Sequence, residues 1–107
     1  MKKISLRPRK AKSETMRLMD RVARVVDQAR NDPESAFGFL FKDLPMAHRV
    51  RFVEDGNMYW LKVSFVDSHK KAWGTEKYFL PDVLMHPDDY MKDVANLCWH
   101  SMALKGK

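Results

Sequence analysis

Apolar residues recur at spacings of three and four near both ends of this chain, and at a spacing of two in between. Over ETMRLMDRVARVVDQAR, Leu18, Met19, Val22, Val25, Val26 and Ala29 form one broad stripe, which predicts an amphipathic helix over residues 14–30. Ser13 offers an N-cap oxygen, Glu14 puts a negative charge in the first turn, and Asn31 is a fair stop. Asp32-Pro33-Glu34 is a second start signal, an acidic cap followed by proline at the first helical position. The SAFGFLFK that follows fits either a short helix, with Phe37, Leu40 and Phe41 on one face, or a buried strand. Gly38 weakens the helix, and a short helix is the narrowly preferred expectation.

After Leu44-Pro45 the period changes to two. Val50 and Phe52 alternate with Arg49, Arg51 and Val53, and Asp55-Gly56 signals a hairpin turn. From Met58 to Asp67, Tyr59, Leu61, Val63 and Phe65 share one face, while Met58, Trp60, Lys62, Ser64 and Val66 share the other. The polar SHKKAWG leads to a third expected strand over residues 75–80, with Tyr78 and Leu80 on one face and Pro81 ending it. A final helix is expected from about Pro87, with Asp88 and Asp89 at its positive end. Met91, Val94, Ala95, Cys98 and Met102 form its stripe, and Lys105 and Lys107 suit its negative end. The expected fold class is α+β: a three-stranded antiparallel meander packed by an N-terminal and a C-terminal helix, in the order α-(α)-β-β-β-α. Without repeats or a long linker, residues 13–107 read as a single domain preceded by a basic flexible arm over 1–12.

Over roughly residues 14–104 this order resembles that of the double-stranded RNA-binding domain. That family opens its last helix with a lysine cluster that grips phosphates. Here the stretch is His86-Pro87-Asp88-Asp89-Tyr90, acidic in place of basic, so no site residue is carried over.

Charge changes the picture most at the N-terminus. The chain has 20 Lys+Arg and 14 Asp+Glu, a net of +6. Lys2, Lys3, Arg7, Arg9, Lys10 and Lys12 account for all of that excess, leaving 14 basic and 14 acidic residues from Ser13 onward. Such a block attracts phosphate, and each neutralised phosphate releases counterions. It also fits a solubilising terminus or a segment that orders on a protein partner. Composition otherwise suits a globular domain, with 45% apolar residues and six Phe, three Tyr and three Trp.

Further along, Arg17, Arg21 and Arg24 lie on one line of the first helix and could prolong the positive surface. The plainer account is a solvated helix face, with Asp20 paired to Arg24. Across the hairpin, Arg49 and Arg51 are expected beside Trp60 and Lys62, a combination that grips single-stranded nucleic acid or anchors a protein. Alternatively the Phe-rich segment or a second subunit covers Trp60. Met16, Met19, Met91 and Met102 read as adaptable core fillers or as a pliable contact surface.

His48, His69, His86 and His100 show no metal-ligand spacing, and the four glycines form no phosphate loop, so neither a metal, a cofactor nor catalysis is expected. Cys98, a single cysteine, points to a reducing compartment: bacterial or viral host cytoplasm, with the nucleus left open. The chain shows neither a secretory signal pattern nor an apolar run long enough for a membrane span, so no membrane partner is expected. The expected function is a small non-catalytic nucleic-acid-binding or nucleoprotein-associated domain. The alternative is a protein-interaction module, such as a small phage-type inhibitor or accessory subunit, binding through Trp60, Lys62, Trp73 and the Met-rich faces. A homodimer is left open.

Overall fold

The structure, a computed structural model, describes the backbone of residues 2–106 and the side chains of residues 16–106. Helix α1 (Lys2–Asn31) leads to a one-turn helix α2 (Pro33–Ala36) and a 3-10 turn at Gly38–Phe41. Strands β1 (Ala47–Asp55), β2 (Met58–Val66) and β3 (Ala72–Phe79) follow, then a short helix α3 (Leu80–Met85) and helix α4 (Pro87–Lys105). The strands form one antiparallel sheet in the order β1-β2-β3. The fold is α+β, as the change of period along the chain predicts.

Three boundaries differ from expectation. Helix α1 runs back to Lys2, well before the expected start at residue 14. Lys, Arg and Ala are strong helix formers, and an established helix adds each further residue at little cost, although Pro8 removes one amide donor. The basic side chains expected to act from residues 1–12 lie outside the described residues. The third strand begins at Ala72 and not at Thr75, which takes Trp73 out of the connecting loop and into the sheet. Its far end is also shifted: Leu80 and Pro81 open helix α3, with proline in the first turn where its missing amide costs nothing. The Phe-rich segment is resolved as a break. Asp32 caps α2 by accepting the Ser35 amide at 3.2 Å, and the chain then tightens into the 3-10 turn. Phe37, Leu40 and Phe41 are thereby all buried.

One sheet face carries the core. Val50, Leu61, Val63, Phe65 and Tyr78 meet Val26 and Ala29 of α1, the phenylalanines of the turn, Leu80, Val83 and Leu84 of α3, and Val94 and Cys98 of α4. Leu61, Val63 and Phe65 are completely buried, each worth about 1.5–3 kcal/mol of transfer free energy. Helix α4 packs tightly on Gly74, where an added Cβ would run into the Ser101 hydroxyl and lie 3.0 Å from Leu97 Cδ1. At the outer edge of β1, the Val50 amide donates to Glu34 Oε2 at 2.9 Å, and Glu34 Oε1 lies 2.9 Å from His48 Nε2. Phe41 stacks on His48, with ring centroids 3.8 Å apart.

Candidate nucleic-acid interface

The opposite sheet face lies outside that core, although Ser64 and Val66 on it are buried. Strand alternation points Arg49, Arg51 and Val53 of β1 outward, with Trp60, Lys62 and Ser64 of β2 and Thr75, Lys77 and Phe79 of β3. Register sorts them into rows across the sheet. Val53, Trp60 and Phe79 are directly opposite one another, and the next row is Arg51, Lys62 and Lys77. The third row is Arg49, Ser64 and Thr75, whose two hydroxyls lie 3.1 Å apart. An apolar row thus borders a wholly basic one, and the described helices contribute their buried residues to the other side.

Among the described residues, no acid pairs with the basic row or with Arg49. Like charges directly opposite across strands repel. Among the described strand residues, the one acidic side chain on this face is Asp55, opposite Met58 at the hairpin turn. Lys77 relieves part of its own field by placing Nζ 4.7 Å from the centroid of the Trp60 ring. Trp60 in turn leans on Phe79, at a centroid distance of 5.1 Å and a tilt of 57°. Trp60 is therefore half-buried by neighbours on its own face. The Phe-rich segment, one of the two covers considered for it, lies in the core on the other side.

Other candidate residues lie elsewhere. Arg21 Nη1 donates to the Leu84 carbonyl at 3.2 Å, tying α1 to the end of α3. Arg17 borders the same junction, beside Leu84 and Met85, while Arg24 is exposed on the helix layer. Arg17 and Arg21 thus meet α3 and not the strand arginines. Arg30, absent from the candidates, forms a two-bonded pair with Glu54, at 2.6 and 2.9 Å. Trp73 donates its indole N–H to Asp67 Oδ2 at 3.0 Å and lies under Lys71, at 4.3 Å, so it braces the β2–β3 turn.

Lys77 and Phe79 were missed from the sequence. Period-two alternation against Tyr78 does place them outward. Which residues they face, however, depends on a bulge between Phe65 and Val66 that no local signal marks.

Negative charge gathers on the helix side. Burial, then Asp93 and Glu76, push the Tyr78 hydroxyl up to about 12. Burial, then Asp82, also raise Tyr90, whose hydroxyl donates to Asp82 at 3.2 Å. A separate apolar groove of 550 Å³ runs along α1 past Leu18, Met19, Val22 and Ala23 to Tyr59 and Pro81. Among the described residues, no group of three or more His, Cys, Asp and Glu side chains is placed to hold a metal, and no helix is long and apolar enough to cross a membrane. No family model, curated protein or solved structure matches the chain.

Proposed function

We propose that this is a small, non-catalytic nucleic-acid-binding domain whose contact surface is the open sheet face, assisted by the basic residues of the first twelve positions. The observation that carries the proposal is the Arg51–Lys62–Lys77 row. Three cations side by side, with Arg49 beyond them, cost folding free energy unless a polyanion neutralises them. The adjoining Trp60 and Phe79 add a surface on which bases stack. A reducing, cytoplasmic setting accords with the buried Cys98 thiol.

Anisotropy titration of a labelled oligonucleotide through a salt series tests the proposal. The logarithm of the affinity should fall linearly with that of salt. Lys62→Gln and Lys77→Gln should each flatten the slope by about 0.7–0.9. Replacing Lys2, Lys3, Arg7, Arg9, Lys10 and Lys12 together by Gln should flatten it further. Failure to bind DNA or RNA at low salt overturns the proposal.

A second reading, a protein-interaction module, draws on Met16 and Met19, which are 57% and 64% exposed, Met19 lining the groove along α1. Pliable methionine surfaces suit protein partners. A stoichiometric partner surviving nuclease treatment of a lysate, and lost on Met19→Glu, would favour it.

A further inference from the structure

We infer that the open sheet face takes a single strand in preference to a duplex, with one base stacked at Trp60 and Phe79 and its phosphate on the Arg51–Lys62–Lys77 row. This inference rests on the nucleic-acid reading above and adds the form of the ligand. Residues two apart on a strand are separated by about 6.7 Å, so the apolar and basic rows lie about one such step apart. A base and its own phosphate are separated by a distance of the same order. One nucleotide can therefore meet both rows at once, and its neighbours can extend toward Arg49.

The width of the face points the same way. Three strands span about 10 Å between the outer two, enough for one extended backbone. A duplex hides the flat faces of its bases in its own stack and would offer this surface only phosphate and sugar. The aromatic row would then have no counterpart.

Lys77 completes the arrangement. Its ammonium lies 4.7 Å from the Trp60 centroid, where it shields the ring in the free protein. An arriving base takes that position, and the lysine moves the short distance to the phosphate beside Lys62. One side chain thus covers the stacking surface when it is empty and neutralises the ligand when it is full. Trp60 and Lys77 should consequently be coupled in binding.

The test is a comparison of oligothymidine, oligouridine and a duplex, each of about 16 nucleotides or base pairs, at one salt concentration. The unmodified protein should bind either single strand at least ~10-fold more tightly than the duplex, with tryptophan fluorescence quenched. Trp60→Ala should weaken single-strand binding by about 10- to 100-fold, leave duplex binding and the salt slope unchanged, and abolish most of the quenching. Trp60→Phe should restore much of the affinity. Equal single-strand and duplex affinity, unaffected by Trp60→Ala, overturns the stacking inference and leaves the nucleic-acid reading standing. Absence of binding to all three probes overturns both. The duplex comparison uses the unmodified chain, so it decides even if a Trp60 variant folds poorly. Oligothymidine and oligouridine separate DNA from RNA as the source of the strand.

Discussion

Asp67 organises the turn between β2 and β3 with a single carboxylate. Its Oδ1 accepts the amides of His69 and Lys71 at 2.8 and 3.0 Å, and its Oδ2 accepts the Trp73 indole. The indole bond first, and then the Lys71 amide, hold its pKa down to about 2, against an ordinary 3.8. A folded-state pKa below the unfolded one stabilises fully above the unfolded value and is lost as the pH falls toward the folded one. Urea midpoints of the native protein should therefore drop between pH 3.8 and 2 more steeply than those of Asp67→Asn. Gly74 makes an independent prediction. A methyl group there collides with Ser101, whose hydroxyl already donates to the Leu97 carbonyl at 2.7 Å. Gly74→Ala should cost about 1–3 kcal/mol in denaturant unfolding, in the range of other overpacked sites. Neither role was legible in the sequence. Asp67 lies in a polar stretch that reads as an ordinary loop, and the demand on Gly74 comes from a helix more than twenty positions away.

Among the elements, legibility followed the strength of the local pattern. The hairpin signalled by Asp55-Gly56 forms as expected, with Asp55 opposite Met58 and Gly56 at φ 62°. The stripes of α1 and α4 are buried at Val26, Ala29, Val94 and Cys98, but Met19, expected on the α1 stripe, is exposed. Helix α3 was invisible because six residues cannot hold a helix by propensity alone. Burial of Leu80, Val83 and Leu84 maintains it, together with the Arg21 bond to the Leu84 carbonyl. Arg21→Met keeps the aliphatic stem and removes that bond. It should cost about 1 kcal/mol in denaturant unfolding, and amides of α3 should exchange faster while those of β2 do not.

At the scale of the whole molecule, the fold organises a positive surface that composition does not show. Excluding both termini, residues 13–104 hold 12 basic and 14 acidic residues, so composition gives no hint of a positive body. Folding separates those charges, with the basic row on the open sheet face and acids around Tyr78 and Tyr90. Arg49, Arg51, Trp60 and Lys62 were legible as one face from their period. The completing pair, Lys77 and Phe79, needed the register of β3. A trade-off follows from the row. Lys62→Glu replaces two cross-strand repulsions by attractions, so thermal unfolding should show a gain of ~0.2–1 kcal/mol while oligonucleotide affinity falls.

Strand β1 is the outermost strand on its side, and an outermost strand presents spare amides to any extended chain that drifts past. Glu34 occupies one of those amides, at Val50, in the middle of the strand. A neighbouring molecule that tried to continue the sheet there would have to displace a carboxylate and accept its charge in the new ladder. The expected consequence is a monomer guarded against runaway polymerisation. Glu34→Ala should leave the monomer folded yet raise light scattering with concentration and time, as sheets join edge to edge.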